Sequence, residues 1–134
     1  MTPFVWTIIA LTAAVLVLWI FSTPKGLQAP ETFSGRVRYV VDGDSLYIDG
    51  HRPQVRLWGV DAPEQSESGF KAATDYLFLI AQSQPVTCQI VDRDRYGRSV
   101  ARCFLSDGRE VNRLMIESGT AREYRRFTKG FYSR

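Results

Sequence analysis

No charged side chain occurs between Phe4 and Phe21, and every Lys, Arg, Asp and Glu of the chain lies beyond Trp19. About 20 apolar residues cross a bilayer as a helix. The Phe4–Phe21 run meets that need, with Trp6 and Trp19 near its ends, where indole rings favour the interface. It predicts a transmembrane anchor over residues 1–25. A cleaved signal peptide is the alternative. Against it, no Lys or Arg precedes the run, and Phe21-Ser-Thr-Pro-Lys25 offers no small-x-small cleavage site. Ser22 to Pro30 holds two Pro and one Gly and reads as a tether, so residues 26–32 form a linker and residues 33–134 a folded domain.

That domain carries all 17 cationic and 14 acidic residues except Lys25 and Glu31, within a chain of net charge +3. Fourteen of the 17 Lys and Arg are Arg, whose planar fork grips phosphate or carboxylate, so the excess points to an anionic partner. An aromatic content of 13% and the lack of repeats argue against disorder. The size suits one modest core.

Thr32–Val41 alternates apolar and polar residues as a strand does. Asp42-Gly43-Asp44 turns the chain into Ser45–Ile48, and Asp49-Gly50 leads to a third run, Gln54–Val60. Phe70–Ala81 has the length and apolar density of a helix. Val86–Asp92 and Ser99–Leu105 flank the Asp94–Gly97 turn, and Val111, Leu114 and Met115 share one face of a short helix that Gly119 can end. Three strands, helix, two strands, helix predicts an α+β, mainly β fold: a five-stranded OB-type barrel, with an open sheet as the alternative. Cys88 and Cys103 lie symmetrically about the Asp94–Gly97 turn, within disulfide reach across a hairpin. Two buried free thiols are the alternative. The only histidine is His51, so no zinc set can form. Lys25, Arg36 and Arg38 would hold the domain in the cytoplasm by the positive-inside rule, whereas a disulfide points to an oxidising compartment. The latter predicts an extracytoplasmic domain on a single-pass anchor, with a secreted protein as the alternative.

Asp42, Asp44, Asp61 and Glu64 all sit in turns that end predicted strands, so they are expected to converge at one barrel rim. Converging carboxylates need a cation, and oxygen ligands select a hard one such as Ca²⁺ or Mg²⁺. Each acid could also merely serve its turn. An EF-hand is excluded, because Leu46 and Tyr47 occupy its fifth and sixth positions. Arg56 and Arg98 beside such an ion would meet the need of phosphodiester cleavage, whose transition state gathers negative charge on the phosphoryl oxygens.

Val41-Asp-Gly-Asp-Ser45, Val55-Arg-Leu-Trp-Gly-Val-Asp-Ala-Pro-Glu64, Asp94-Arg-Tyr-Gly-Arg98 and Asp107-Gly-Arg-Glu-Val-Asn112 resemble, in order and spacing, the staphylococcal thermonuclease family. The resemblance runs from about Gly35 to Tyr124. It implies an OB-fold, Ca²⁺-dependent endonuclease acting on DNA (single- or double-stranded) and RNA and leaving 3′-phosphates. By the same resemblance, Asp44 and Asp61 are the direct Ca²⁺ ligands, Ala62 adds a backbone carbonyl, and Asp42 supports the ion through water. Glu64 orients or deprotonates the attacking water. Arg56 and Arg98 clamp the scissile phosphate, Arg98 also aiding the leaving oxygen. Tyr96 and Tyr124 contact the terminal phosphate and base.

Ala62 replaces the family's usual Thr, and the loop from Glu64 to the first helix is short. The family continues past the region of Tyr124 into a further helix, so a domain short at its C-terminus is expected. Arg125, Arg126 and Lys129 with Phe127, Phe131 and Tyr132 form either a nucleic-acid contact or an exposed tail with a few core aromatics. The expected molecule is a monomer. The competing reading is a membrane-tethered OB module that binds nucleic acid without cutting it.

Overall fold

A computed structural model describes residues 29–134. Its elements are β1 (Thr32–Asp42), β2 (Ser45–Ile48), β3 (Val55–Leu57), β4 (Val60–Asp61), α1 (Phe70–Ala81), β5 (Pro85–Arg93), β6 (Ser99–Leu105), α2 (Val111–Glu117), β7 (Arg122–Glu123) and α3 (Arg125–Thr128). Five strands close a barrel in the order β1-β2-β3-β6-β5, with β5 returning to β1. All its pairings are antiparallel except β3 with β6. This is the expected OB-like barrel, mainly β. The expected anchor over residues 1–25 lies outside the described residues. Among the described residues no helix is long and apolar enough to cross a membrane.

Period-2 alternation drives the barrel. Val37, Val40, Leu46, Ile48, Val55, Leu57, Val86 and Ala101 all turn into one core. Full burial of a Val or Leu side chain contributes about 1.5–3 kcal/mol. α1 covers this core with Ala73, Leu77 and Ala81, a stripe of residues four apart whose small members let the helix approach closely. Register shifts between Val37 and Tyr39 and between Val40 and Asp42 mark β-bulges in β1. Bulges bend a strand, and here they let one strand pair with β5 along its first half and β2 along its second.

Cys88 and Cys103 are register partners with Cα atoms 4.1 Å apart, and they are joined as a disulfide. That separation belongs to the closely approached, non-hydrogen-bonded kind of pair. The Cys103 N–H therefore points away from β5, where the buried Asn112 Oδ1 accepts it at 3.0 Å.

The third strand departs from expectation. Gln54–Val60 reads as one run, but the chain breaks at Trp58-Gly59, where Gly59 adopts φ +73°. A Cβ at Gly59 would stand 2.4 Å from Thr128 Cγ2, so only glycine lets the C-terminal segment seat here. Beyond the break β4 leaves the barrel and pairs with β7. The C-terminal segment is packed as well. Tyr132 is buried, and the rings of Phe131 and Tyr132 lie 5.6 and 5.8 Å from Trp58. Glu123 accepts hydrogen bonds from Thr128 Oγ1, the Tyr132 N–H and Ser133 Oγ. Of the aromatics in this segment Tyr132 joins the core, while Phe127 and Phe131 stay exposed.

Candidate active site

The turn between β1 and β2 is held by its own acids. Asp42 Oδ1 accepts the Asp44 N–H at 3.1 Å, the Asx arrangement that makes Asp-Gly-Asp a turn. Gly43 is required by close approach, since a Cβ there would come 2.7 Å from both Ala62 and Ala73. The turn is thereby pressed against α1. Asp44 then ties three segments together. Its backbone oxygen accepts the Leu57 N–H at 2.8 Å, Oδ1 accepts the Ser45 hydroxyl at 3.1 Å, and Oδ2 accepts the Ala62 N–H at 3.4 Å.

Arg56 projects from β3 and meets this carboxylate, Nη2 standing 3.3 Å from Asp44 Oδ2. Its Nη1 donates to the Leu57 carbonyl at 2.8 Å, which fixes the fork. Asp44 is only 13% exposed. Burial pushes its pKa up to about 6, against the pull of Arg56 and with a further push from the Asp42 carboxylate.

The β5–β6 hairpin supplies the second guanidinium. Asp94 Oδ1 accepts the N–H groups of Tyr96 and Arg98 at 2.9 and 3.0 Å, and Oδ2 accepts Arg98 Nε at 2.6 Å. Burial would raise the Asp94 carboxyl, but the Arg98 side chain and the two N–H groups outweigh it and hold it below the usual range. Arg98 is therefore clasped in one orientation. Tyr96 lies exposed beneath it, its ring centroid 5.7 Å from the Arg98 guanidinium carbon and 4.9 Å from that of Arg95.

Arg56, Glu64, Arg98 and Tyr124 line one cleft of about 790 Å³. Trp58 and Gly59 belong to the same cleft, as do Asp92, Asp94 and Arg95 from the hairpin and Arg126 and Phe127 from α3. The Tyr124 N–H donates to the Gly59 carbonyl at 2.8 Å, and Phe127 packs edge-on against Tyr124 at 4.7 Å. A site with two guanidinium forks, an exposed carboxylate and aromatic walls can bind a phosphodiester and assist proton transfer at it.

Asp61 and Glu64 line different cavities. Asp61, paired with Arg122 in the β4–β7 ladder, lines a second cavity with Ala62 and Glu67, while the Asp61–Ala62 peptide stays beside Asp44, whose Oδ2 accepts the Ala62 N–H. Glu64 faces the arginine cleft instead. Asp42 and Asp44 remain together. Among the described residues no group of three or more Asp, Glu, His or Cys is gathered for an ion. The donors are nonetheless of the right kind. Two hard oxygen carboxylates, one of them buried beside a like charge and incompletely compensated by Arg56, fit a hard divalent cation.

Several supporting residues escaped the sequence reading. Arg102 donates to Glu110 through Nε and Nη2 at 2.9 and 2.8 Å, and the Tyr132 hydroxyl donates to the same carboxylate. Asn112, noted only as part of a motif, donates from Nδ2 to the Trp58 and Ala101 carbonyls at 2.9 and 3.0 Å. An uncharged amide inside an apolar helix face was the one available signal.

A family model described as staphylococcal nuclease homologue matches residues 54–133. A thermonuclease of Staphylococcus hyicus is 31% identical over 133 residues, covering 86% of this chain and 78% of that protein. An uncharacterized endonuclease of Escherichia coli O157:H7 is 36% identical over 114 residues, 84% of this chain and 72% of the relative. The succinoglycan biosynthesis protein ExoI of Rhizobium meliloti is 39% identical over 105 residues. That match takes in 70% of this chain but only about half of the relative's length, 54%.

Proposed function

The chain belongs to the staphylococcal nuclease family, and from that premise we propose that it is a metal-dependent endonuclease cutting DNA and RNA to leave 3′-phosphate ends. The observation that carries this reading is the single cleft shared by Arg56, Glu64 and Arg98.

Asp44 and Asp61 would hold Ca²⁺ with the Ala62 carbonyl, Asp42 acting through water. A bound Ca²⁺ would offset the negative charge that builds on the phosphoryl oxygens. Glu64 accepts a proton from the attacking water, whose oxygen bonds to phosphorus as the bond to the 5′-oxygen breaks. Arg56 and Arg98 donate to the non-bridging oxygens as their charge grows, and Arg98 steadies the leaving oxygen before it takes up a proton. Clasping by Asp44 and Asp94 orients both forks in advance, which lowers the reorganisation cost on the way to the transition state. Tyr96 and Tyr124 contact the terminal phosphate and base. The 4–21 segment anchors a monomeric domain outside the cytoplasm.

A module that binds nucleic acid without cutting is the second reading, supported by the OB-type barrel, a fold that also serves binding alone. Digestion separates the two readings. Full-length protein with single-stranded DNA or RNA should release 3′-phosphate ends when Ca²⁺ is added and stop on addition of EDTA. Salt-sensitive binding with no cleavage at any divalent ion would establish the module instead. Cleavage that survives EDTA would overturn the metal assignment.

A further inference from the structure

The outward face of the β1–β2 hairpin carries two exposed tyrosines that the nuclease reading does not use. Tyr39 and Tyr47 are register partners, 60% and 41% exposed. With Arg38, His51 and Arg52 they border a surface cavity of about 720 Å³. Aromatic side chains this open to water gain only part of the energy of burial, so core packing does not fully account for them.

The register connects this patch to the arginine cleft. Tyr47 and Ser45 lie two residues apart and so share one face of β2. Ser45 is the register partner of Asp42 on one side and Arg56 on the other. The bulge between Val40 and Asp42 keeps Tyr39 and Asp42 on this face although they are three residues apart. The outward face of the barrel therefore runs in rows, with Asp42-Ser45-Arg56 first and Tyr39-Tyr47 next, about 7 Å further along the strands. Charge agrees with this order. Arg38 reaches Asp49 only at 3.9 Å, and Arg52 makes no ion pair among the described residues. Open aromatic rings flanked by guanidinium groups, one row from a phosphate-gripping arginine, are the combination that holds an unpaired polynucleotide by stacking and by its backbone charge.

We propose that this face binds the single strand flanking the scissile phosphate, with bases stacked on Tyr39 and Tyr47 and phosphates held by Arg38 and Arg52. The placement of the scissile phosphate rests on the nuclease reading; the stacking surface does not. Stacking needs unpaired bases, so the surface also favours single strands over duplex.

The test is fluorescence anisotropy with the full chain carrying Glu64→Gln, and a single strand of about a dozen nucleotides. Tyr39→Ala with Tyr47→Ala should weaken binding about tenfold or more, whereas a duplex of equal length should lose far less. Tyr39→Phe with Tyr47→Phe, which keeps the rings, should bind as the parent does. Equal losses for single strand and duplex, or no loss, would overturn the proposal, as would a failure of the phenylalanine pair to restore binding. A tyrosine-dependent attachment to anionic vesicles with no oligonucleotide binding would overturn it too. A wild-type protein that cuts nothing but shows the tyrosine-dependent binding would remove the nuclease reading and leave the surface standing.

Discussion

Asn112→Ala should cost the domain a large part of its stability, and the structure sets the size. Asn112 is completely buried. Its amide accepts the Cys103 N–H and donates to the Trp58 and Ala101 carbonyls. The Ala101 carbonyl keeps a second partner, the Trp58 N–H at 2.9 Å. The substitution thus orphans two groups, the Cys103 N–H and the Trp58 carbonyl. The buried Cys103 N–H costs about 1–3 kcal/mol when orphaned and the part-buried Trp58 carbonyl at most as much again, giving a loss of about 1–6 kcal/mol before any cavity penalty. A typical domain has only about 5–15 kcal/mol in hand. Urea unfolding followed by far-ultraviolet circular dichroism reads the loss as a shifted midpoint at constant slope. A loss below about 1 kcal/mol would refute the reasoning, because it would mean that water or a rearranged backbone already serves those groups.

Two further outcomes follow from the site. Asp44 has its pKa raised by burial from 3.8 to about 6, so the folded protein binds a proton that the unfolded chain has released. Stability of the chelator-treated protein should therefore fall as pH rises from about 4 through about 6, and Asp44→Asn should flatten that slope in pH-dependent urea melts. Gly59→Ala forces a side chain into a φ of +73° and against Thr128, so it should lower the melting temperature and raise KM by loosening the Tyr124 wall. An unchanged melting curve would show that this contact yields freely.

Where period and turn chemistry decide, the sequence sufficed. α1 spans Phe70–Ala81 as its apolar spacing requires, and the Asp42–Asp44 and Asp94–Arg98 turns form around side-chain caps that their residues advertise. The misses have a shared physical origin. Gln54–Val60 is apolar enough to read as one strand, and the reason for its break, the packing of Thr128 on Gly59, lies far along the chain. β7 is two residues long and shows no alternation to detect. Nothing in the sequence marks Glu110 as the acceptor of the Tyr132 hydroxyl, 22 residues further along the chain. Arg56, Glu64 and Arg98 were legible through motif resemblance, and the structure gathers them on one cleft. The pairing of Asp61 with Arg122 was not legible, since β7 is only two residues long.

Arg56 stands on β3 and Arg98 in the β5–β6 turn, 42 residues further along the chain, so the shared site is tested most directly by the cleavage rates of Arg56→Ala, Arg98→Ala and their combination in folded protein. Each single variant should lower kcat by about 10²–10³, and the double variant should lose less than the product of the two, as groups serving one phosphate do. A wild-type rate in either single variant, with the barrel intact, would contradict the shared site.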